Sequence, residues 1–417
     1  MAHPDDSTVS TAASVSRRDF TRQGAVSLSA LVAGASLLLP SAHSSEGTRK
    51  KIRIGIAGGR FGASFQWHEH PDCVVAAVSD LEPSRREHLK KTYHCDKEYP
   101  SLEEMVKDPD MDAIGVFTDG PLHFQHAMLA LENGKHVISA VPAVMAHTVN
   151  EALDQAKNLR DQVKKTGLTY MMAETSYWQQ KTITTRRLYE KGAMGDIVSC
   201  DSDYFHPGLK VLYGTADDPT WRYGVPPMFY PTHCTAHLLS ITKERLVEVA
   251  CHGWGNDDPI LQKNAFDNNP FWNETAHFKT DRGHPFRVRL WWEAPVWSTE
   301  SASWFGTKMT LTAAGEKWSP SEELGRDDAG FAYRKATKSN FEIPEWWKTD
   351  MLPEPLRHNS GHEGSHTFIT HEFVEALVQG RPSVIDIDAS LDYTIPGIIA
   401  HQSALKGGEL LKIPVIS

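Results

Sequence analysis

A glycine-rich turn near residue 57 has the residue types needed to bind a pyrophosphate. An apolar, strand-like segment at 51–56 is followed by six residues that fit G-x-G-x-x-G with alanine in first place. Small residues let the backbone approach the pyrophosphate, and the N-terminus of a following helix supplies N–H groups and a positive dipole. The cofactor-binding residues predicted here are Ala57, Gly58, Gly59, Arg60, Phe61 and Gly62.

An acidic residue follows this turn at the spacing expected for a ribose ligand. Asp80 ends the next predicted strand, close to the offset of about 20 residues at which an acid binds the adenosine ribose diol. Leu81 follows it rather than arginine, which favours NAD over NADP, although Arg85 and Arg86 lie nearby. The alternative is a glycine-rich turn that binds no nucleotide.

The segment 362–366 matches the zinc-protease pattern H-E-x-x-H letter for letter. That site requires two histidines one turn apart within a continuous helix, and a third ligand further along. Gly361 and Gly364 weaken any helix here, and the helical pattern begins only at about Ser365. We predict no metal site, and expect Ser365 to cap the helix and one of the two histidines to border a substrate cleft.

The first half of the chain alternates strand-like and helical segments. Strand-like runs at 74–79, 113–117, 136–139 and 169–173 are separated by helical spacing at 83–93, 124–133 and 149–165. Strands separated by helices predict βαβ units and a doubly wound parallel sheet of the Rossmann type.

From about residue 197 the pattern changes to longer strand-like segments with proline, glycine and aromatic residues between them. These segments are 197–204, 246–253, 286–293 and 308–313, and two helices are predicted at 365–379 and 388–405. They predict a C-terminal α/β domain with an open, largely antiparallel sheet. The polar stretch 317–353 is interpreted as a long loop or lid.

Composition excludes several classes of protein. Hydrophobic residues make up 40% and charged residues 23% of the 417 residues, which is typical of a globular protein. The formal charge of −10 argues against nucleic acid as a partner. The five cysteines form no C-x-x-C pair and are expected to be mostly buried. The aromatic residues crowded between positions 204 and 318 either fill a core or form a platform for sugars.

The N-terminal 45 residues resemble a bacterial twin-arginine export signal. Arg17 and Arg18 precede a moderately apolar run at 25–39 and then small residues. The run is too short for a confident membrane span; an uncleaved N-terminal anchor is the alternative. We therefore predict a signal peptide at 1–45, a Rossmann domain at 46–175 and a substrate and oligomerisation domain at 176–417, whose final helices can pack back on the Rossmann domain. The mature protein is expected to be periplasmic or extracellular, without membrane attachment.

The stretches 112–123 and 127–137 resemble the Gfo/Idh/MocA family of NAD(P)-dependent sugar enzymes. This resemblance implies an NAD-binding Rossmann domain followed by an α/β domain whose open sheet often forms homo-oligomer contacts. Asp119 and His123 are predicted to lie beside the cofactor cleft, because ligands bind beyond the carboxyl ends of parallel strands, and Thr118 is a further predicted cofactor residue. Pro142 is expected to shape the nicotinamide pocket through its fixed φ. Most members carry Glu-Lys-Pro where this chain has Ala140, Val141 and Pro142, so the usual lysine is missing.

The motifs resemble one branch of this family, the NAD-dependent α-N-acetylgalactosaminidase-like glycosidases. The resemblance lies in Val141-Pro142-Ala143, the segment 171–177, Tyr204-Phe205-His206, Trp221-Arg222 and Tyr230-Pro231-Thr232-His233. In that branch a tyrosine and a histidine near the nicotinamide act as acid and base.

The resemblance implies a carbohydrate or glycoside substrate and a redox-neutral glycoside cleavage. A secondary hydroxyl is oxidised, a base removes the proton beside the ketone, the glycosidic group leaves, water adds and the hydride returns. His233 is the predicted base, with Tyr177 or Tyr230 as its partner and His206 as a second candidate. Glu174, Trp221 and Arg222 are predicted to bind substrate, and Glu174 could instead orient a relay. Two alternatives stay open: a net sugar or polyol dehydrogenase, and a non-catalytic, NAD-bound sugar-binding protein.

Overall fold

The computed structural model describes residues 51–207, 212–294 and 299–416. The proposed signal peptide and the boundary at residue 45 lie outside these residues. These described residues belong to one compact unit that contains two sheets. The predicted fold class is confirmed: a parallel Rossmann sheet is joined to a mixed, mostly antiparallel sheet.

The first sheet has six parallel strands in the order β3-β2-β1-β4-β5-β6. Strand β4 is buried at every position, as expected for a strand covered on both faces. The strands are β1 (Ile52–Ala57), β2 (Cys73–Ser79), β3 (Glu98–Tyr99), β4 (Ala113–Val116), β5 (His136–Ser139) and β6 (Tyr170–Met172). The connecting helices are α1 (Pro83–Tyr93), α2 (Leu102–Met105), α3 (His123–Glu132) and α4 (Val149–Thr166).

The second sheet has nine strands in the order β14-β13-β12-β11-β7-β10-β9-β8-β15. Strands β7 and β10 pair in parallel, and the other neighbours pair antiparallel. The strands are β7 (Ile197–Phe205), β8 (Leu246–Trp254), β9 (Asn273–Thr280), β10 (Pro285–Trp291), β11 (Thr299–Gly306), β12 (Thr310–Leu311), β13 (Glu316–Arg326), β14 (Ala332–Asn340) and β15 (Leu411–Lys412).

Five further helices follow β6 in the chain, of which α6 and α9 contact the second sheet and α8 contacts β1 of the first. Helix α6 is buried over nearly its whole length, and α9 contacts both α4 and β8. The helices are α5 (Gln180–Glu190), α6 (Thr232–Thr242), α7 (Pro259–Gln262), α8 (Gly361–Gln379) and α9 (Ile387–Leu405). Short 3₁₀ turns lie at Phe61–Ser64, Gly120–Leu122, Ser176–Trp178, Pro227–Phe229, Trp346–Lys348 and Glu354–Leu356.

The expectation of a loop or lid at 317–353 is wrong for its first part. Strands β13 and β14 form an antiparallel hairpin there, with almost every residue partly or fully exposed. Because both faces of this hairpin meet solvent, its sequence lacks the alternation of apolar and polar residues that identifies a half-buried strand.

Buried tryptophans support the core interpretation of the aromatic-rich segment, while other aromatic residues line a cavity described below. Trp272, Trp292 and Trp304 are almost fully buried. The five cysteines are buried and free, as expected. Among the described residues, no helix is long and apolar enough to cross a membrane.

Candidate active site

The glycine-rich turn follows the end of β1 and packs against the loop after β4. Gly58 has φ +102°, and a Cβ added there would lie 2.2 Å from the carbonyl oxygen of Phe117. Only glycine fits such a close approach with positive φ. The predicted helix after this turn is wrong, because residues Phe61–Ser64 form a single 3₁₀ turn before the chain enters β2. A single turn has little dipole. The backbone N–H groups of Gly58 and Gly59 already donate to Ser79 and Asp80, so a pyrophosphate here would depend on the N–H groups of the residues that follow them.

Asp80 faces this turn from the end of β2. Its Oδ2 accepts a hydrogen bond from the backbone N–H of Gly59 at 2.7 Å, and its Oδ1 accepts one from the backbone N–H of Glu82 at 2.9 Å. Arg86 donates to the backbone oxygen of Asp80, and Arg85 lies 3.8 Å from the carboxylate. The guanidinium of Arg86 therefore binds the backbone here.

A cavity of 300 Å³ lies between the turn and Asp80. Most of the predicted cofactor residues line it: Ala57, Gly58, Gly59, Arg60, Asp80, Thr118 and Asp119. The residues present fit a dinucleotide, because the walls combine close backbone approach, a carboxylate for a ribose diol and the cationic side chain of Arg60. Gly62 is buried beneath the cavity, against Phe117 and Ile56.

A second cavity of 220 Å³ adjoins the first and shares Phe117 and Thr118 with it. It brings together eight predicted site residues from both halves of the chain: Phe61, Thr118, His123, His206, Trp221, Arg222, Tyr230 and His233. Ala140 and Val141 also line it, and neither carries a group that can transfer a proton. Pro142 reaches the site indirectly, since its carbonyl oxygen lies 2.8 Å from Nδ1 of His123.

His233, near the N-terminus of α6, is paired with a buried carboxylate. Its Nδ1 lies 3.0 Å from Oε1 of Glu174 and 3.8 Å from Oε2 of Glu300. Burial opposes the charged imidazolium, but the two carboxylates outweigh burial and raise the pKa of His233 to about 9. Burial likewise opposes the charged form of Glu174, but His233 outweighs it and lowers the pKa of Glu174. The two side chains are therefore an ion pair at neutral pH, with Nε2 as the nitrogen of His233 that can meet a ligand.

Glu174 is fully buried behind His233, and it also accepts a hydrogen bond from the backbone N–H of Ser176 at 2.8 Å. It does not line either cavity. This placement fits the predicted role of orienting a relay rather than that of binding a sugar hydroxyl.

Tyr230 and Arg222 form a second polar pair in the cavity wall. Arg222 donates a hydrogen bond to the phenol oxygen of Tyr230 at 2.5 Å, and its guanidinium lies 4.1 Å from the ring centroid of Trp221. Burial raises the pKa of Tyr230 to about 12, although Arg222 opposes this shift. Tyr230 is therefore a neutral phenol that can donate its proton in a hydrogen bond to a ligand.

Tyr177 is not brought together with these residues. Its ring lies 4.1 Å from the guanidinium of Arg186 and lines a separate cavity with Trp178. The segment 171–177 thus contributes Ala173 and Thr175 to the second cavity instead.

Sequence reasoning did not select three residues that belong to this site. Tyr204 lines the cavity, with its ring centroid 4.7 Å from that of His233. Glu300 approaches His233 from β11, a strand that carried no recognised sequence signal. Thr175 also lines the cavity. Tyr204 could have been found, because it stands beside His206 in a motif already recognised.

The zinc-like motif adopts no helix at its centre. His362, Glu363 and Gly364 have φ values of 49°, 58° and 84°, and helical geometry begins after them. His362 lines the second cavity, as expected for one histidine of the pair. Ser360, and not Ser365, caps the helix, since its hydroxyl accepts a hydrogen bond from the backbone N–H of Thr367. Within the described ranges, no cluster of three residues could hold a metal ion.

A third cavity of 720 Å³ borders both others and is largely apolar. It shares Asp119 with the first cavity and Trp221 with the second, and Tyr223 and Pro219 form part of its wall. The three cavities are therefore neighbours that share lining residues.

Together, the fold and the cavities define a dinucleotide-binding α/β protein with an ion-paired histidine beside the cofactor cleft. Residues 52–174 match the family model for the Gfo/Idh/MocA oxidoreductases, described as an oxidoreductase family with an NAD-binding Rossmann fold. The predicted resemblance to this family and the prediction of NAD as cofactor are confirmed.

Similar proteins and structures extend the likeness beyond the Rossmann sheet. A glycosyl hydrolase family 109 protein of Streptomyces coelicolor is 22% identical over 87% of this chain and 81% of its own length. A protein of the same description from Solibacter usitatus is 22% identical over 96% of each. The structure of scyllo-inositol dehydrogenase from Lactobacillus casei with bound NAD(H) and scyllo-inositol has a TM-score of 0.63 at 16% identity, over 87% of this chain and 99% of that chain. Levoglucosan dehydrogenase with NADH and levoglucosan has a TM-score of 0.66 at 17% identity, over 88% and 100%.

Proposed function

We propose that the protein uses NAD to oxidise a secondary hydroxyl of a carbohydrate as the first step of a redox-neutral glycoside cleavage. The observation that carries this proposal is the ion pair that His233, in the wall of a cavity that adjoins the nucleotide cavity, forms with the buried carboxylate of Glu174 behind it. The similarity to two glycosyl hydrolase family 109 proteins over most of their length supports the same class of reaction.

The cofactor would be held by the glycine-rich turn and by Asp80, and when bound it supplies an acceptor for a hydride. We assign to Tyr230, whose oxygen accepts a hydrogen bond from Arg222, the binding of the hydroxyl that is oxidised. As that hydroxyl loses its proton to the phenol oxygen, the phenol passes its own proton to solvent, so Tyr230 is neutral before and after the step. Trp221 offers an aromatic face to the apolar side of a sugar ring.

His233 then acts as the proton donor of the elimination. Because its pKa is raised to about 9, it holds a proton at neutral pH, and Glu174 occupies Nδ1 so that Nε2–H is left for the substrate. Donation of this proton to the glycosidic oxygen makes that oxygen a neutral leaving group. The large apolar cavity beyond Trp221 gives the departing group a place to bind.

A panel of free sugars and glycosides, incubated with the NAD-loaded protein, tests this function. We expect release of the glycosidic group without accumulation of NADH. Accumulation of NADH in proportion to oxidised sugar would instead identify a net dehydrogenase. Binding of sugars without any product would identify a non-catalytic sugar-binding protein.

We also propose that the chain is exported by the twin-arginine route and acts in the periplasm or outside the cell. The Arg17 and Arg18 pair before a short apolar run supports this proposal. Replacing both arginines with lysine should abolish export, and undiminished export would contradict the proposal.

A homo-oligomer is the third part of the proposal. The β13 and β14 hairpin exposes apolar side chains, with Leu324 65% and Phe331 72% accessible, and such exposed patches are typical of interfaces. Replacing both residues with glutamate should reduce the mass measured by light scattering to that of one chain. If both proteins have the mass of several chains, another surface holds the subunits together. If the unmodified protein already has the mass of one chain, the proposal of a homo-oligomer is wrong.

A further inference from the structure

His362 lines the same cavity as His233, but its surroundings lower its pKa, whereas those of His233 raise its pKa. Its Nδ1 is 2.9 Å from Nε2 of His366, and Nδ1 of His366 is 2.9 Å from the backbone carbonyl oxygen of Ser64. A chain of three groups joined by hydrogen bonds therefore begins in the wall of the cavity, at His362.

This chain determines which nitrogen of each ring carries a proton. A carbonyl oxygen can only accept, so His366 must donate from Nδ1, which leaves a lone pair on its Nε2. His362 must then donate from its own Nδ1 to that lone pair. As a result, Nε2 of His362 carries a lone pair, and it is the nitrogen left to meet a ligand in the cavity.

Both rings are held in the neutral state that this arrangement requires. Burial lowers the pKa of His366 to about 4, and burial also lowers the pKa of His362. The charged groups that act on His362 are Glu300 and Glu174, which favour its protonation, and His233, which opposes it.

The backbone at this position is strained, which is a common feature of functional sites. His362 and Glu363 adopt left-handed conformations that residues with side chains rarely take, and Gly364 continues them. A Cβ on Gly364 would lie 2.3 Å from the ring of Trp347, so this position also needs glycine. The left-handed run delays the helix until residue 365 and leaves His362 in the wall of the cavity.

We infer that His362 is the base that removes the proton from the carbon beside the transient ketone, and that His233 is the matching acid. The C–H bond breaks as an N–H bond forms at Nε2 of His362. The electron pair moves into a carbon–carbon double bond, the glycosidic C–O bond breaks, and the leaving oxygen takes the proton from Nε2 of His233. This inference rests on the proposed function and moves the base from His233, where the sequence placed it, to His362. Two titratable groups with environments that separate their pKa values are typical of an acid and base pair.

Two variants of His362 test the assignment by different means. His362→Asn keeps an amide N–H at the place of Nδ1 but removes the basic nitrogen. His362→Gly suits a φ of 49° and leaves room for free imidazole to enter. A matched control is His371→Asn, because His371 lies on the same helix and bonds to His70 at 3.0 Å without lining the cavity.

The activity readout is exchange of the substrate C–H proton with deuterated water. Both variants should lose exchange by roughly 100-fold or more, while bound NADH still forms in the first turnover and His371→Asn exchanges normally. Imidazole should restore exchange to His362→Gly. Exchange at the original rate in His362→Asn would overturn the inference and leave the proposed function intact. If the unmodified protein showed no exchange, both this inference and the proposed function would be contradicted.

A second readout is independent of activity. Protein labelled with ¹⁵N-histidine, with the signal of His362 assigned from its loss in His362→Asn, should show His362 protonated at Nδ1 and neutral at pH 7. Protonation at Nε2, or a charged ring at that pH, would overturn the inference.

Discussion

Replacing Glu174 with glutamine removes the carboxylate that holds His233 in its charged form. In the native protein the pKa of His233 is raised from 6.5 to about 9. Since one pKa unit corresponds to about 1.4 kcal/mol, the shift is equivalent to about 3 kcal/mol in favour of the imidazolium. Without Glu174 the carboxylate of Glu300 remains 3.8 Å away, but burial opposes it, so we expect the pKa of His233 to fall back towards its ordinary value.

This change has a defined effect on stability as a function of pH. A group whose pKa is raised by folding stabilises the protein fully below its ordinary pKa and ceases to do so as the pH rises through its folded pKa. The contribution of His233 is therefore complete below 6.5 and disappears by about 9. Glu174 has a lowered pKa, so its contribution is present above its ordinary value of 4.5 and is lost as the pH falls through the lowered pKa.

The free energy of unfolding, measured by denaturant titration across this range, tests the prediction. The unmodified protein should lose stability between pH 6.5 and about 9, and Glu174→Gln should lose much less over the same interval. The basic limb of the rate profile should also move to lower pH, because the acid His233 deprotonates earlier. Equal pH dependence of unfolding in the two proteins would refute the pairing of His233 with Glu174.

A second buried pair provides the control. Glu274 lies 2.8 Å from Nδ1 of His401, both side chains are almost fully buried, and neither lines the second cavity. Glu274→Gln should lower stability without moving the rate profile.

Three further changes probe the cofactor and substrate residues. Asp80→Ala should weaken the binding of NAD and reduce the preference for NAD over NADP, because the protein loses the carboxylate that accepts hydrogen bonds from the ribose diol and repels a 2′-phosphate. Equal affinity of the unmodified protein for both cofactors, measured by calorimetry, would show the assignment to be wrong. Gly58→Ala should reduce NAD affinity by 10-fold or more, since its Cβ would meet Phe117 and strain of this kind costs about 1–3 kcal/mol; unchanged affinity would mean that the turn does not bind the cofactor. Tyr230→Phe should lower turnover by roughly 100-fold with NAD affinity unaltered, and full activity would exclude the phenol as a relay.

Local sequence patterns were sufficient to predict a helix or strand that a single continuous segment forms. The predicted helices at 83–93 and 388–405 match α1 and α9 within a residue, and the predicted strand at 74–79 lies within β2. Each of these elements buries one defined face, and the spacing of apolar residues along the sequence indicates that face directly. The hairpin of β13 and β14 has no buried face, and the pattern could not identify it.

The site depended more on spatial proximity than on sequence order. Asp80 and the glycine-rich turn could be predicted because their chemistry lies in a short motif. Tyr177 is within three residues of Glu174, yet the 3₁₀ turn at Ser176–Trp178 directs its ring to another cavity. The partners Glu300 and His362 come from β11 and the start of α8, and only the folded chain brings the first within 3.8 Å of His233 and the second into the same cavity.

The central claim, that a hydride-first elimination occurs between the two histidines, is tested most directly by cleavage of a glycoside in deuterated water. The NAD-loaded protein should release a sugar that carries solvent deuterium at the carbon beside the oxidised one, while the absorbance of NADH returns to its starting value. A cleaved sugar without deuterium would contradict the elimination route, and NADH formed in proportion to product would show a net dehydrogenase instead.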